Sequence, residues 1–355
     1  MRFIGNKENL LDKIYQIFQA KEISGNTFFD FFAGTTNVGR YFKKLGYQVN
    51  SSDLLYFSYV LQKAYIQNNT NVNFDKLLKN INIESNTLFA TPLNLVVNYL
   101  NNIEPIEGFI YKNFTPEGSA KLEQPRMYFN ALNGKKIDAI RIKIEDWNEN
   151  KLISEDEYFV LLACLIETVP FYANVSGVYA AFHKNWDPRA IKTLQLREVE
   201  TVINNYTNSV YNIDSVNLIH QIKTDILYLD PPYNQRQYAP NYHVLETIAK
   251  YDNPEIRGVA GLRNYENQKS KFCNAETGLK ELYKIAKIAD YKTLVLSYNT
   301  EGIMQKSKIL AVLEQFGTVE LVEFDYLRFK SNSNGESKTK KFIQEQLYIL
   351  KKNEK

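Results

Sequence analysis

Hydrophobic residues along this 355-residue chain recur with two different spacings. Near the N-terminus they recur every three or four positions, which predicts a helix with one apolar face. The residues on that face are Leu10, Leu11, Ile14, Ile17 and Phe18. Further on, apolar residues form short unbroken runs, which are typical of strands buried on both faces of a parallel sheet. The chain is therefore predicted to combine strands and helices.

The first apolar run begins a recognisable unit. Residues 27–32 form a predicted strand that contains one acid, Asp30. A turn at Gly34 leads into a helical pattern, and Gly46 is expected to end that helix. A second short strand follows at residues 47–50, with Asp53 just beyond it. Doubly wound nucleotide-binding folds begin with this order of strand, glycine-containing turn, helix, strand and acid.

The middle of the chain has a different pattern. From about residue 56 to 211, helical stretches such as 158–168 alternate with polar, Asn-rich segments. We interpret residues 58–209 as an insert, and residues 1–57 with 210–355 as one α/β domain. In the second half, strands are predicted at 210–213, 226–229 and 293–297, helices at 242–250 and 307–316, and an antiparallel pair at 318–324 and 346–350.

Composition restricts the class of protein only broadly. Hydrophobic residues make up 44% and charged residues 23%, as in ordinary globular proteins. The net charge of +3 permits an anionic partner without requiring one. Cys164 and Cys273 are far apart, which indicates neither a disulfide framework nor a metal site. The sequence shows no signal peptide and no run of 18 apolar residues, so a cytoplasmic location away from membranes is expected.

The predicted strand at 226–229 ends in Asp230-Pro231-Pro232-Tyr233. Neither proline has a backbone N–H to donate, so the strand stops there. Asp230 is thereby expected at the carboxyl end of a buried strand, the edge at which open α/β sheets bind ligands. A strand that simply ends in a β-turn has a similar sequence. The apolar run before the acid and the glycine turn upstream favour a catalytic edge.

The glycine turn narrows the choice of cofactor. Gly34 and Gly39 have the spacing of a phosphate-binding loop, but the Lys-Ser/Thr pair that should follow is missing. A dinucleotide fingerprint is also absent, because Thr36 occupies its middle glycine position. Asp53 lies nineteen residues after Gly34, where an acid can bind ribose hydroxyls, although taken alone it would be an ordinary surface acid. A nucleoside without phosphates, such as S-adenosylmethionine, fits this pattern best.

The strand-end motif is suited to methylating an amine beside such a cofactor. An exocyclic amine on a base is a poor nucleophile because its lone pair is delocalised into the ring. If Asp230 and the Pro231 carbonyl each accept one N–H, the lone pair is freed to face the methyl group. Tyr233 can stack on a base that has been swung out of a duplex. The activated methyl group belongs to the cofactor, so positioning and electrostatics suffice.

These motifs resemble those of the Dam-type, or α-group, DNA adenine-N6 methyltransferases, and the resemblance covers most of the chain. Asp230-Pro231-Pro232-Tyr233 matches the family's catalytic tetrapeptide without departure. Arg2-Phe3-Ile4-Gly5-Asn6-Lys7 resembles its N-terminal cofactor motif, with Phe3 where many members have Trp. Thr35-Thr36 is a departure, because the first glycine-rich motif often has more glycine there.

The resemblance implies a Rossmann-like S-adenosylmethionine-dependent methyltransferase fold, with a mixed seven-stranded sheet and a mainly helical target-recognition insert. It implies catalytic roles for Asp230, Pro231, Pro232 and Tyr233. It implies cofactor-binding roles for Phe3, Lys7, Asp30, Phe32, Ala33, Gly34, Asp53 and Asp214. Lys7 has two further interpretations, as a brace for Asp230 or as a plain surface lysine at a helix start.

Several basic residues are candidates for contacts with DNA. Residues 328–341 carry five basic side chains against one acid, which fits a loop that tracks phosphates and equally a solvated loop. The DNA-binding candidates are Lys184, Arg236, Tyr238, Arg328, Lys330 and Lys338. Further groove candidates in the insert are Arg126, Lys135, Lys136, Arg141, Asn185 and Arg189, most of which we expect to be surface residues that read no bases.

The expected function is methylation of the N6 amine of adenine in a short duplex DNA sequence, with base flipping, as protection within a restriction-modification system. Expected partners are duplex DNA and a cognate restriction endonuclease that acts independently, with the enzyme a monomer or weak dimer. An adenine in RNA and a glutamine side chain in a protein are alternative acceptors. A DNA-specificity subunit without catalysis is a third interpretation, which the intact Asp230 and Tyr233 disfavour.

Overall fold

The computed structural model describes residues 7–84, 90–327 and 342–352. These residues form two compact units. The helical unit contains Lys63–Ile203 and Ala239–Tyr265. The sheet unit contains residues 7–62, Asn204–Tyr238 and the described residues from Glu266 onward. Among the described residues, no helix has the length and hydropathy that spanning a bilayer requires.

Nine strands lie within the described residues. In chain order they are β1 (Thr27–Asp30), β2 (Gln48–Ser52), β3 (Val210–Tyr211), β4 (Lys223–Leu229), β5 (Ile256–Arg257), β6 (Leu262–Arg263), β7 (Asp290–Asn299), β8 (Gly317–Leu327) and β9 (Phe342–Lys352). Seven of them form one sheet in the order β3-β2-β1-β4-β7-β9-β8, and β5 and β6 form a separate hairpin. The pairs from β3 to β7 are parallel, whereas β9 is antiparallel to both of its neighbours. The predicted α/β class with a mixed seven-stranded sheet is confirmed.

The helices surround this sheet or build the helical unit. They are α1 (Leu11–Ala20), α2 (Asn37–Lys44), α3 (Tyr56–Gln62), α4 (Asp75–Asn80), α5 (Pro92–Asn101), α6 (Phe109–Phe114), α7 (Ala131–Glu149), α8 (Glu155–Thr168), α9 (Tyr238–Asn241), α10 (His243–Lys250), α11 (Ala275–Ile288) and α12 (Lys306–Leu313). Short 3-10 or π turns lie at Glu8–Leu10, Lys63–Gln67, Val169–Phe171, Ser215–Leu218, Glu266–Gln268 and Lys271–Cys273.

Both faces of the sheet are apolar, because side chains along a strand point alternately to its two faces. Phe28 in β1 stacks on Phe42 of α2, with ring centroids 4.1 Å apart. The next residue, Phe29, lies in the cluster on the opposite face, together with Leu282 of α11 and Ile309 of α12. Helices therefore cover the sheet on both sides.

The helical unit is held together by α7, α8 and α10. Helix α8 begins with a capping box between Ser154 and Glu157, which satisfies two backbone amides at its N-terminus. The Arg141 guanidinium of α7 donates to the Ile248 and Ala249 carbonyls of α10. These bonds and the apolar packing fix α10 against helices that come from an earlier part of the chain.

The domain division in the structure differs from the predicted insert at 58–209. Residues Ala239–Tyr265, which follow β4, belong to the helical unit and not to the sheet unit. The helix predicted at 242–250 exists as α10, but its neighbour is α8. A helix that was not predicted from the sequence, α11, packs on the sheet face at β4 and β7 instead. The role of the helical unit in target recognition stays a prediction.

Most predicted elements of the sheet unit lie where the patterns placed them. All five residues of the first apolar helical face are buried, from Leu10 to Phe18. The strand predicted at 27–32 is wrong at its C-terminal end, because β1 stops at Asp30. The chain turns there, and the Ala33 amide bonds to the Ser52 carbonyl at the end of β2. Asp30 is thus the last residue of the strand and not an acid within it.

Candidate active site

Asp230 directly follows β4, the central strand of the sheet. Tyr228 in β4 pairs with Asp30 of β1 on one side and with Val295 of β7 on the other. Pro231 and Pro232 are buried, and they end the strand as predicted because they lack an amide hydrogen. The sequence therefore folds so that two acids, Asp30 and Asp230, lie at the carboxyl ends of adjacent strands.

A small network of charged side chains surrounds the Asp230 carboxylate. Lys7 Nζ lies 3.6 Å from Asp230 Oδ1 and 3.0 Å from Glu345 Oε2. The same ammonium lies 4.8 Å from the centroid of the Tyr233 ring, a favourable cation–π distance. The Tyr233 hydroxyl donates a hydrogen bond to Asp230 Oδ1. All four side chains thus constrain one another around a single carboxylate.

The network has strongly perturbed proton affinities. Burial raises the pKa of Asp230 to about 6, although the Lys7 charge and the Tyr233 hydrogen bond act in the opposite direction. Burial alone would lower the pKa of Lys7, but the charges of Asp230 and Glu345 outweigh it and raise that pKa. Burial, followed by the charge of Asp230, raises the pKa of Tyr233 well above its usual value. At neutral pH Asp230 is therefore ionised and Lys7 and Tyr233 are protonated.

Asp30 differs from Asp230 because no side chain among the described residues donates a hydrogen bond to its carboxylate. Its residue surface is 1% exposed, and neither carboxylate oxygen has a hydrogen bond of ordinary geometry within the described residues. Burial and then the charges of Asp230 and Asp53 raise its pKa to about 8, and nearby backbone amides offset this only in part. A buried acid of this kind is stabilised by a ligand that brings a positive charge or donor hydrogens.

The turn after β1 is built tightly around a second acid. Gly34 has a φ of +50°, a left-handed conformation that glycine adopts without steric cost. Its amide donates to Asp53 Oδ2 at 2.8 Å, and the Leu55 amide donates to Asp53 Oδ1, also at 2.8 Å. Thr36 adopts a left-handed conformation too, with φ of +63°, although it is not glycine. The turn thereby holds the Asp53 carboxylate beside the end of β1.

The remaining cofactor candidates are Ala33, Phe32, Asp214 and Phe3. Ala33 is buried, and Phe32 packs edge-on against Phe272 with ring centroids 5.2 Å apart. Asp214 caps the 3-10 turn at Ser215–Leu218 by accepting from the Val216 amide. Phe3 lies outside the described residues. The structure therefore brings Asp30, Ala33 and Gly34 together with Asp53, and their role in cofactor binding stays a prediction.

The DNA-binding candidates are only partly described. Lys184 in the helical unit is exposed, and so is Arg236 in the sheet unit. Tyr238, the first residue of α9, is half-buried. Arg328, Lys330 and Lys338 lie outside the described residues. Exposure leaves Lys184 and Arg236 accessible to a phosphate, and their roles stay predictions.

Three groove candidates in the helical unit are instead part of its structure. Arg126 is buried and donates to the backbone carbonyls of Asn113, Gly258 and Val259. Lys136 is buried with its ammonium on the Asn101 carbonyl, and Arg141 is buried against α10. The expectation that these three could reach a groove is wrong, because their cationic groups serve as hydrogen-bond donors to carbonyls inside the unit.

The other groove candidates lie nearer the surface. Lys135 pairs with Glu107 and Arg189 pairs with Asp187 within the helical unit. Asn185 is exposed. Lys135, Asn185 and Arg189 agree with the expectation that most of these residues lie at the surface, whereas Arg126, Lys136 and Arg141 do not. Whether any of them reads a base stays a prediction.

Glu345 belongs to the site but was not predicted from the sequence. The prediction considered acids just beyond the carboxyl ends of strands, where a parallel sheet places ligands. Strand β9 is antiparallel, so the edge near Asp230 receives residues from its beginning, and Glu345 pairs with Asn299 at the end of β7. An acid two residues before the apolar run Leu347–Leu350 of the closing strand was the available signal.

The chain is similar to a group of known proteins. Residues 3–297 match the model of a family described as D12 class N6 adenine-specific DNA methyltransferase. The chain is 42% identical to the type II methyltransferase M.FokI of Planomicrobium okeanokoites over 95% of the chain and 51% of that protein. It is 36% identical to the modification methylase StsI of Streptococcus sanguinis over 99% of the chain and 52% of that protein. The chain thus spans about half the length of these two relatives.

A third relative has nearly the same length as this chain. The chain is 38% identical to the type II methyltransferase M.NlaIII of Neisseria lactamica, over 94% of the chain and 93% of that protein. No solved structure matches the chain.

Proposed function

The chain belongs to the D12 class N6 adenine-specific DNA methyltransferases, and from that premise we propose that it transfers a methyl group from S-adenosylmethionine to the N6 amine of adenine in a short duplex DNA sequence. The observation that carries this proposal is the position of Asp230. Its carboxylate lies at the end of the central strand, is ionised at neutral pH, and is followed by a proline carbonyl and an aromatic ring.

Asp230 acts on the amine by accepting a hydrogen bond from one of its two N–H groups. The Pro231 carbonyl accepts from the other, since the backbone around two consecutive prolines is stiff and offers no competing N–H. With both hydrogens held, the nitrogen lone pair leaves conjugation with the ring and becomes available for in-line attack. Lys7 keeps Asp230 ionised, so that the carboxylate can accept and not donate.

Tyr233 has two roles in this scheme. In the structure its hydroxyl donates to the same Asp230 oxygen that Lys7 approaches. An incoming amine N–H replaces that donor, so Asp230 keeps a partner before and after the base arrives. The ring of Tyr233 then offers an aromatic surface to the flipped base. Its backbone is fixed by the Ile303 amide, which donates to the Tyr233 carbonyl at 2.9 Å.

The residues at the end of β1 fit S-adenosylmethionine. The orphaned Asp30 carboxylate needs a positive partner, and this cofactor carries a cationic ammonium and a cationic sulfonium. Asp53 suits the ribose hydroxyls because a carboxylate has about four acceptor positions. Gly34, whose amide donates to Asp53, has no Cβ that would crowd a ligand at this carboxylate. When bound, the cofactor supplies the activated methyl group. Asp214 and Phe32 complete the set of proposed contacts.

We assign the sheet unit to the Rossmann-like methyltransferase fold, because five parallel strands are followed by an antiparallel strand inserted next to the last of them. We assign target recognition to the helical unit. The relatives' names describe type II methyltransferases and a modification methylase. By extension we propose that this chain protects DNA within a restriction-modification system, with a cognate endonuclease that acts separately.

Replacement of Asp230 tests the mechanism. In Asp230→Ala, methyl transfer from labelled cofactor to duplex DNA is expected to fall by at least about a hundredfold, because the acceptor for the amine is gone. Cofactor binding measured by calorimetry is expected to remain, which shows that the fold is intact. Asp290→Ala, which removes an exposed acid at the start of β7, serves as the control and should keep full activity. Full activity in Asp230→Ala would contradict the mechanism.

A second experiment identifies the acceptor. The protein is expressed in a host without DNA methylation, and the modified positions of its genome are sequenced. Adenines methylated at one recurring short site are the expected result. Incorporation of label into structured RNA or into protein in place of duplex DNA would move the activity to one of the alternative acceptors. No incorporation together with no cofactor binding would revive the interpretation as a specificity subunit.

A further inference from the structure

Glu345 is a buried acid of the candidate active site that contacts Lys7. It lies near the start of β9, between Asn299 of β7 and Phe324 of β8 in the strand register. It is 4% exposed, and its Oε2 accepts from Lys7 Nζ at 3.0 Å. Lys7 therefore lies between two carboxylates, and Glu345 is the nearer one.

We propose that Glu345 is a positioning residue of the methyl-transfer reaction, which holds the Lys7 ammonium between itself and Asp230 and so sets the orientation and charge of the Asp230 carboxylate. This inference rests on the proposed function for the role of Asp230. It assigns the closing strand, which contributes nothing to the catalytic tetrapeptide, a direct influence on the reacting edge.

The geometry gives a reason for a second acid. Without Glu345, the ammonium would be free to move onto Asp230 and form a full ion pair with it. Such a pair would compete with the target amine for Asp230 Oδ1, the oxygen that Lys7 already approaches. With Glu345 present, Lys7 remains 3.6 Å from Asp230 Oδ1, beyond ordinary hydrogen-bond length, so the Asp230 oxygens stay available to the amine.

Stability alone does not account for the arrangement. Burying ionic groups requires their desolvation, and well-packed apolar residues of similar size usually stabilise a core as well or better. In this site two largely buried carboxylates lie within 4 Å of one buried ammonium. Buried ionic groups of this kind are concentrated at sites that require particular protonation states.

Charged and titratable groups reach Asp230 from several elements. Lys7 comes from the N-terminal segment and Glu345 from β9, and they act on Asp230 with opposite signs. Asp30 at the end of β1 and Tyr228 in β4 are both affected by the Asp230 charge. Tyr233 follows the tetrapeptide's prolines and donates to Asp230. Among these five groups, only Lys7 carries a positive charge. The distance of Lys7 from Asp230 therefore determines how strongly the Asp230 carboxylate is stabilised in its ionised form.

Substitution of Glu345 and of Lys7 is expected to shift the pH dependence of methyl transfer in opposite directions. Asp230 must be ionised to accept the amine hydrogen, so activity falls as the pH drops through the pKa of Asp230, which is about 6. Glu345→Gln removes a negative charge, which lowers that pKa and moves the acidic limb of the kcat/KM profile, which reports the free enzyme, down by about one pH unit. Lys7→Met removes the positive charge and moves the limb upward. A residue that merely supports the fold produces no such pair of shifts.

The rate and the Michaelis constants separate positioning from binding. In Glu345→Gln, kcat on the pH plateau is expected to fall about tenfold, because Lys7 then pairs more closely with Asp230. KM for DNA and for the cofactor is expected to stay within about twofold of the wild type, since Glu345 contacts neither in this scheme. Glu320→Gln is the matched control, because Glu320 lies on the neighbouring β8 in a surface ion pair with Lys21. It should change neither the plateau nor the acidic limb.

A titration without substrate distinguishes failure of this inference from failure of the proposed function. Carboxyl carbon shifts of Asp230 are followed by NMR in the wild type, Glu345→Gln and Lys7→Met. The midpoint is expected to move down in the first variant and up in the second, whether or not the protein methylates DNA. An unchanged Asp230 midpoint in folded Glu345→Gln would overturn the inference. The inference would also be overturned if the wild type is active and Glu345→Gln keeps both its plateau kcat and the position of its acidic limb.

Discussion

Asp30 is a residue whose environment disfavours the folded protein in the absence of a ligand. It is fully buried, has no hydrogen-bond partner of ordinary geometry among the described residues, and has its pKa raised to about 8 by burial and by Asp230 and Asp53. Folding therefore requires either a proton on this acid or an unfavourable buried charge. Under the proposed function, the cationic groups of the cofactor would offset this cost when they bind beside Asp30.

The substitution Asp30→Asn is expected to stabilise the free protein and weaken cofactor binding. The folded-state pKa lies above the unfolded value near 3.9, so the wild type loses stability as the pH rises from about 4 to about 8. The neutral amide avoids that loss, and the gain should be small at pH 4 and reach roughly 2–4 kcal/mol at pH 8. Urea unfolding at both pH values measures it, and calorimetry measures the affinity for S-adenosylmethionine. A gain that is equal at the two pH values would contradict the assignment.

At the scale of elements, Asp225 ties the beginnings of three strands together. It lies in β4, and its Oδ2 accepts from the backbone amides of Asn26 and Thr27 and from the Thr27 hydroxyl, at 2.8 to 3.0 Å. Its other oxygen pairs with Lys292 of β7 at 2.6 Å. The end of the sheet opposite the active site is thus fixed by one acid, which supports the alignment of β1 and β4 that places Asp30 beside Asp230.

Asp225→Ala is expected to destabilise the protein by about 1–3 kcal/mol, because it leaves three donors at the start of β1 without their acceptor. Lys292→Ala is the matched control. That lysine is 75% exposed, so its ion pair is screened by solvent and should contribute less than about 1 kcal/mol. The Lys292 hydrogen bond and the two amides hold the pKa of Asp225 below its usual range. Its stabilising effect should therefore begin to decline as the pH falls below about 4 and be lost only when the pH passes the lowered folded-state pKa, which urea unfolding at pH 7 and at a series of acidic pH values can measure.

The elements that sequence patterns predicted correctly are those with a periodic or unbroken apolar pattern. Helix α1, strand β4 and the β8–β9 pair are examples, because each buries a whole face that the pattern displays. The packing of α10 in the helical unit was not predictable in this way. Its amphipathic pattern specifies that one face is buried but not which surface buries it. Glu345 was missed and Arg126 was misjudged for a similar reason, since a buried charge is recognised by partners that are distant in the chain.

At the scale of the whole molecule, binding to DNA has to rest on local groups of cations. A net charge of +3 on 355 residues gives only a weak overall attraction to a polyanion. The structure also removes Arg126, Lys136 and Arg141 from the available cations, because they donate to carbonyls inside the helical unit. Affinity is then expected to depend on the few predicted contacts: Lys184, Arg236, Arg328, Lys330 and Lys338.

The salt dependence of DNA binding tests that set of contacts. Each neutralised phosphate contributes about −0.9 to the slope of log K against log salt concentration, so five cations predict a slope of about −4 to −5. Lys184→Ala is expected to reduce the slope by about one and to weaken binding to all duplex sequences alike, as phosphate contacts do. Lys79→Ala, which removes another exposed lysine of the helical unit, is the control and should leave the slope unchanged. If the two variants have equal slopes, Lys184 makes no phosphate contact and the DNA path avoids that part of the helical unit.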